Sequence, residues 1–275
     1  MQVFGVEAHE EMLSSLRRLI RHRGLIQILV VRELKARYRG SVLGYLWSFI
    51  NPLLLLIVYT IVFSVVLPGF RGIDLEPYAL FLFCGLLPWT WFSSALLESA
   101  NSLIAGGNLI KKVLFPAEIL PIVAVLSNMC HFFFALPVLV LFLAFYARPL
   151  NVTELVWFPV VVLIQLILTL GLGLLLSALT VHFRDLRDLL GNLLTLWFFT
   201  TPIIYPMSMV PAGGKSVMAL NPFAHLAISY QEILFYEGPF GHWRWLLALG
   251  VASIAVFILG FALFDRLRDS FAEEV

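Results

Sequence analysis

The sequence predicts an all-α integral membrane protein in which six helices cross the bilayer and both termini face the cytosol. Three observations support this fold class. Hydrophobic residues make up 61% of the chain and charged residues 13%, whereas a soluble domain is nearer half apolar and a quarter charged. Uncharged apolar runs are long enough to span hydrocarbon as helices. Lysine and arginine are concentrated in alternate connections, which places those connections and the termini in the cytosol.

Residues 1–40 are predicted to form a cytosolic lead-in that ends in an amphipathic helix lying in the membrane interface. From Leu25 to Arg39, apolar residues recur at helical spacing with basic residues between them. The alternative is that this segment is only the basic flank of the first span. The polar candidates of the interfacial helix are Arg32, Glu33, Lys35, Arg37, Tyr38 and Arg39.

Residues 41–206 contain the first five predicted spans. The first, Leu43–Leu67, carries no charge and would be roughly 37 Å long as a helix. Its Asn51-Pro52 pair favours a kink near the cytosolic end. The next four spans are predicted at Tyr78–Ala105, Ile119–Tyr146, Leu155–Val181 and Leu189–Tyr205.

Residues 207–242 lie on the outer side in this topology but are too apolar for a solvated loop. Asn221-Pro222 and Gly238-Pro239 are turn signals on either side of an apolar segment. Irregular backbone survives at membrane depth only inside protein or beside a watery cavity. The pattern therefore favours a re-entrant helical hairpin between spans five and six, and a helix resting on the outer leaflet is the alternative. Residues 243–275 contain span six, Trp245–Phe264, and a cytosolic tail.

The residue patterns give no indication of covalent catalysis or of a bound metal. Gly213-Gly214-Lys215-Ser216 ends like a phosphate-binding loop, but Met209 stands where that loop needs its first glycine. The histidines lack metal-ligand spacing, and the two cysteines lie in apolar runs. Glu98 lies well inside a predicted span. A proton relay usually needs several ionisable groups across the membrane, and Glu98 is a single carboxylate, so a structural hydrogen bond or ion pair is favoured. We expect no catalytic residue, no metal and no nucleic-acid partner.

Two inner loops and the aromatic residues are the remaining functional candidates. Residues 107–121 place two lysines between apolar residues before Pro116, a pattern suited to a short helix that inserts into a groove of a soluble partner. His182–Asp188 is a second, charged contact surface. Aromatic residues make up 14% of the chain, and aromatic faces stack on sugar rings. Interfacial belts and lipid contact are the alternative use of the same residues.

Four stretches of the chain resemble one known protein family, and they occur in the same order as in that family. They are RELKARYRGSVLGYLWSFINPLLLLIVYTIVF from Arg32, NLIKKVLFPAEILP at 108–121, HFRDLRDLLGNLLTLWFFTTPIIYPMSMVP at 182–211 and ALNPFAHLAISYQEILF at 219–235. Together they resemble type-2 ABC transporter permeases of the polysaccharide-export family. The resemblance implies a single ABC-2-type transmembrane domain over residues 1–275, in a homodimer that binds two copies of an ATP-binding subunit. ATP and Mg are then bound by that partner, and this chain needs no cofactor.

The resemblance also implies a function and assigns roles to the candidates. Family members export lipid-linked polysaccharide of the O-antigen, capsule or teichoic-acid type across the cytoplasmic membrane of a bacterium. The interfacial helix resembles a gate at the channel entrance. The residues that resemble the coupling contact with the ATPase are Asn108, Lys111, Lys112, Phe115, Pro116, Glu118, Arg184 and Asp185. The residues that resemble the channel wall are Trp47, Tyr59, Phe63, Trp197, Phe198, Phe199 and Tyr205. The alternatives are a permease for drugs or other lipids and an ion-coupled secondary transporter.

Overall fold

The computed structural model describes residues 21–62, 77–111, 115–146 and 152–274, and these residues form helices and no strand. The predicted all-α class is confirmed for them. Phe63 and Lys112, two of the predicted site residues, lie outside the described ranges. The helices are α1 (Arg23–Arg37), α2 (Trp47–Ile61), α3 (Tyr78–Ala105), α4 (Gly107–Ile110), α5 (Ile119–Phe145), α6 (Val152–Leu155), α7 (Trp157–His182), α8 (Leu186–Phe199), α9 (Ala212–Met218), α10 (Pro222–Leu234), α11 (Trp243–Leu267) and α12 (Phe271–Glu274).

Four of the described helices are long and apolar enough to cross a bilayer, namely Tyr78–Ala105, Ile119–Phe145, Thr153–His182 and Trp243–Ser270. They correspond to predicted spans two, three, four and six. Helix α2 is apolar but has 15 described residues, and α8 has 14. Each is therefore shorter than the roughly 20 residues that a bilayer core requires. The number of six spans stays a prediction.

Helix α3 is the centre of the bundle, because its most apolar window is 78% buried, against 33% for α5 and 28% for α11. It packs against α2, α5, α7, α8 and α10. Large side chains on several of its faces, including Phe81, Phe83 and Trp91, are almost completely buried. A helix that is apolar all round is expected at such a central position.

Helices α7 and α11 cross at a close backbone-to-backbone approach. A Cβ atom on Gly171 would lie 2.6 Å from Phe257 Cα and 2.7 Å from Phe257 N, both of them backbone atoms. On the opposite helix, a Cβ atom on Gly260 would meet the backbone of Gly171. Glycines at both positions let the two backbones approach, which is the usual way in which helices associate in a membrane.

One end of the bundle carries most of the described basic residues, and we call it the basic end. It comprises α1, the segment 106–118 with α4, the α7–α8 turn at 182–185 and the C-terminal residues 268–274. A hydrophobic cluster closes this end and consists of Leu103, Ala117, Leu174, Ala178, Val181, Phe261, Phe264 and Phe271. A smaller cluster of Leu29, Ile119 and Val123 attaches α1 to α5.

Helix α8 ends earlier than the predicted fifth span. The helix covers Leu186–Phe199, and residues 200–206 are not helical. Pro202 accounts for the difference, because it has no backbone N–H to donate and restricts the residue before it. The chain then forms α9 and the largely buried α10 before it enters α11.

Candidate functional site

Helix α1, the predicted interfacial helix, is attached to the bundle by an ion pair. Arg37 donates a hydrogen bond to Oε1 of Glu98 on α3. The second oxygen of Glu98 accepts a hydrogen bond of 2.6 Å from Nδ2 of Asn128 on α5. Glu98 therefore has a cation and an amide as partners, and its contacts join α1, α3 and α5.

A second attachment of α1 lies beside the first and is polar rather than charged. The Tyr38 hydroxyl is 2.5 Å from Ser48 Oγ and 3.2 Å from His131 Nδ1. The Tyr38 and His131 rings meet edge to face with their centroids 5.7 Å apart. These groups border a cavity of about 180 Å³ between α1, α2, α3 and α5, which also contacts Trp47 and Asn51. The C-terminal end of α1 is thus fixed to three helices.

The other polar candidates of α1 are three exposed basic residues and the half-buried Glu33. Arg32, Lys35 and Arg39 border an open groove that also contains the exposed Ile28 and Val31. Glu33 is half-buried and lies beside Glu98 in a second cavity. Basic and apolar side chains on one exposed face are suited to a membrane interface, where aliphatic stems and charged heads occupy different depths.

The predicted coupling residues divide into exposed and buried groups. Asn108, Lys111, Arg184 and Asp185 are exposed at the basic end. In contrast, Phe115 packs on the small cluster that holds α1, and Pro116 is buried.

Glu118 is only 3% exposed, and its Oε2 lies 3.7 Å from Arg268 NH2. Its side chain therefore presents almost no surface to a partner in this conformation. Arg268 belongs to the charged C-terminal tail, and no residue pattern distinguished it from the other charges of that tail.

Three of the predicted channel aromatics come together around α3. The ring centroids of Trp197 and Phe92 are 5.3 Å apart, those of Phe198 and Trp89 are 5.6 Å apart, and Tyr59 is 5.9 Å from Phe198. Edge-to-face and tilted ring pairs of this kind stabilise a core.

Two of the remaining candidates adjoin this group, since the Phe199 ring lies 5.3 Å from the Phe198 ring. Phe199 is 55% exposed, and its carbonyl accepts a hydrogen bond of 3.0 Å from the Tyr205 hydroxyl. Trp47 lies far along the chain from this group and donates to Ser41 Oγ at 3.0 Å. The contacts of Phe199 connect it and Tyr205 to the aromatic group around α3, and the role of the whole set in a channel wall stays a prediction.

Most of the non-helical segment 200–206 is buried, and side chains of other helices donate hydrogen bonds to two of its carbonyl groups. Gln231 donates to the Pro202 carbonyl at 2.9 Å, and the Tyr78 hydroxyl donates to the Ile204 carbonyl at 2.9 Å. Thr201 and Ile203 are fully buried. An interruption inside hydrocarbon requires such partners, because no water is present to replace the lost helical bonds.

Asn221 ties this segment to α10. Its Oδ1 accepts hydrogen bonds from Trp197 Nε1 at 2.7 Å and from the backbone N–H of Phe223 at 3.0 Å. Its Nδ2 donates to Thr201 Oγ1 at 3.0 Å. Asn221 is thus the N-cap of α10, followed by proline at the first helical position. Sequence reasoning treated Asn221-Pro222 as a turn, although the same pair is a helix-start pattern.

Comparison with known proteins identifies the fold family. The family model described as "ABC-2 type transporter" matches residues 24–235. The chain belongs to the ABC-2 type transporter family. It is 44% identical over 267 residues to the O-antigen export system permease protein RfbA of Myxococcus xanthus, which covers 96% of this chain and 100% of the relative. A Klebsiella pneumoniae protein of the same name is 34% identical, covering 90% of this chain and 94% of the relative. The polysialic acid transport protein KpsM of Escherichia coli is 23% identical, covering 89% and 93%.

As an ABC-2 type transporter, the chain is a multi-pass protein of a bacterial inner membrane. The family match extends from the start of α1 to the end of α10, so it contains both attachments of α1 and the whole interrupted segment. Among the described residues there is no cluster of three or more histidine, cysteine, aspartate or glutamate side chains suited to a metal.

At the end of the bundle opposite the basic end, a group of polar residues joins α10 to the start of α11. Glu232 Oε2 accepts hydrogen bonds of 3.0 Å from the backbone N–H groups of Gly241 and His242. Burial raises the pKa of Glu232, and these two N–H groups act in the other direction. His225 Nδ1 lies 2.9 Å from His242 Nε2, and burial and the charge of His225 lower the pKa of His242 to about 4. The junction therefore disfavours the protonated form of His242.

Proposed function

We propose that this chain is the membrane-spanning permease subunit of an ATP-driven exporter of lipid-linked polysaccharide. The observation that carries the proposal is the 44% identity over essentially the full length of both chains to an O-antigen export permease. A second relative named for polysialic acid transport supports the same substrate class. The substrate is accordingly a glycan of the O-antigen or capsule type, attached to a lipid.

The proposed topology has six spans, with the basic end in the cytosol. The first span would be the predicted Leu43–Leu67, which extends past the described residues, and the fifth would comprise α8 and residues 200–206. Helices α9 and α10 would form the re-entrant outer hairpin, for which the burial of α10 is the support. The orientation rests on Lys111, Arg184 and Arg268 at one end, since basic residues are retained in the cytosol.

We propose a homodimer because exposed polar groups lie on helices that would otherwise meet lipid. Asn51 on α2 and Asn192 and Thr195 on α8 are exposed in the single chain. Polar side chains at membrane depth normally face protein or a water-filled cavity. If α2 and α8 of two copies face each other, these groups contribute to a polar conduit between the subunits.

The chemistry of ATP hydrolysis would take place on a separate subunit, which binds ATP and Mg. That subunit would dock on the exposed residues of the basic end, including Asn108, Lys111 and Asp185. Helix α4 directly follows α3, and α3 carries Glu98, the partner of Arg37. Displacement of α4 would thereby move both the central helix and the interfacial helix that closes the entrance.

The proposal is tested by export in the native host. A strain without this chain should lack the surface glycan and accumulate its lipid-linked form on the cytosolic side, and the wild-type chain should restore export. Lys111→Glu should abolish export and recovery of the ATP-binding subunit while the chain still inserts at the wild-type level. Lys215→Glu, in α9 at the opposite end, is the matched charge reversal and should retain both.

Two results would contradict the proposal. If the wild-type chain purified in mild detergent carries no ATP-binding subunit, the proposed ATP-driven mechanism is refuted. An unchanged surface glycan in the deletion strain, with export of a drug or another lipid lost, would assign a different substrate.

A further inference from the structure

The C-terminal tail, residues 268–274, folds back on the basic end instead of projecting from it. A 3₁₀ turn at Arg268–Ser270 follows α11 and leads into α12. Phe271 is completely buried, with its ring centroid 5.1 Å from Phe264 and 6.4 Å from His182. The tail is therefore anchored in the hydrophobic cluster that closes this end.

The tail contacts both inner segments that carry the exposed coupling candidates. On one side, Arg268 lies 3.7 Å from Glu118 in the segment that follows α4. On the other side, Ser270 Oγ lies 3.1 Å from His182 Nε2, and Arg184 donates to the Glu274 carbonyl at 3.3 Å. Helix α12 also packs against α4 and α7. A single short segment thus connects two loops that are about seventy residues apart in the sequence.

The ion pair with Arg268 is the polar contact on which Glu118 depends. Glu118 is 3% exposed, and its Oε2 has no hydrogen-bond partner among the described residues. A buried carboxylate without a compensating charge is strongly unfavourable. At 3.7 Å the contact is longer than a hydrogen bond, so it depends on charge more than on the fork geometry of arginine.

We propose that the tail is a brace that holds the segment 106–118 and the turn 182–185 in register, so that they present one composite docking surface to the ATP-binding subunit. The inference rests on the proposed function and adds the tail as a positioning element. Arg268 acts through Glu118 and does not itself form the contact surface. Without the brace, each loop would still exist, but Lys111 and Arg184 would no longer keep a fixed distance.

The test uses the full chain expressed with the ATP-binding subunit that co-purifies with the wild type. Arg268→Gln should reduce the ATPase stimulation by this chain roughly tenfold, the factor that corresponds to about 1.4 kcal/mol. Arg268→Lys should keep most of the stimulation because the charge is retained. Arg266→Gln removes the same charge from an exposed position two residues away and is the matched control.

Hydrogen exchange of the purified chain, without the partner, tests the brace separately from docking. Arg268→Gln should accelerate exchange in residues 106–111 and 182–185 and leave residues 222–234 of α10 unchanged, which also shows that the bundle is folded. The double variant Glu118→Gln/Arg268→Gln should be less impaired than the sum of the single variants, because the two residues interact directly.

Four outcomes would overturn the inference. Equal effects of Arg268→Gln and Arg266→Gln would show that only net charge matters. Unchanged exchange in both loops would show that the tail does not order them. If the wild type co-purifies with its ATP-binding subunit and Arg268→Gln matches the wild type in ATPase stimulation, the brace is refuted and the proposed function stands. If the wild type recovers no such subunit, the proposed function fails with it.

Discussion

The crossing of α7 and α11 allows a stability prediction to be worked out from distances. Gly171→Ala places a methyl group 2.6 Å from Phe257 Cα, whereas ordinary contact begins near 3.4 Å, so the two helices must separate by about 0.8 Å. Overpacking of this kind costs about 1–3 kcal/mol, and alanine recovers up to about 1 kcal/mol as the better helix former. We expect a net loss of about 1 kcal/mol and a Tm lower by roughly 3 °C.

The detergent-solubilised chain is heated to a series of temperatures, and the fraction that remains monodisperse on size exclusion gives its thermal transition. Gly191→Ala is the matched control, because a Cβ atom there meets nothing within 4 Å although Gly191 also lies in a helix. That control should be neutral or slightly stabilising. A Gly171→Ala chain as stable as Gly191→Ala would refute the close crossing of α7 and α11.

Three further predictions concern the two ends of the bundle. Asn221→Ala removes the N-cap of α10 and its hydrogen bond with Trp197, so it should cost about 1–2 kcal/mol of unfolding free energy in the same thermal assay, and Asn221→Asp, which keeps the accepting oxygen, should cost less. The pKa of His242 is lowered from 6.5 to about 4, so between these pH values the unfolded chain binds a proton that the folded chain does not. The α10–α11 junction should therefore be fully stable above pH 6.5 and lose stability as the pH falls towards 4. Hydrogen exchange across 222–242 should show this loss in the wild type and not in His242→Gln. Arg37→Gln should accelerate exchange in α1 more than Glu98→Gln, because only the first change leaves the Glu98 carboxylate without its cation; equal rates would argue against that ion pair.

The sequence was sufficient for the long helices. The predicted spans at Tyr78–Ala105 and Ile119–Tyr146 agree with α3 and α5 to within one residue at either end. Helix α11 extends beyond the predicted Trp245–Phe264 at both ends. Long apolar runs determine such helices because every backbone group must be satisfied within the segment, and this constraint acts locally along the chain.

Contacts between distant parts of the chain could not be predicted from the sequence. Glu118 has the same charge whether it faces a partner or Arg268, and only the fold shows that it is buried. The aromatic residues Trp197 and Phe198 are a similar case, since periodicity cannot distinguish a channel wall from packing against α3. The family resemblance correctly indicated the family, whereas the role of each aromatic side chain stays a prediction.

The interrupted segment at 200–206 has a consequence for how this protein can vary. Its shape depends on Tyr78, Asn221 and Gln231, which belong to three other parts of the chain. A helix carries its own hydrogen bonds and can be exchanged between related proteins as a cassette, but this segment cannot. In a chimera, residues 197–231 must come from one parent together with the start of α3. The unit that can be exchanged between related proteins is therefore a set of residues in contact, and not one continuous stretch of sequence.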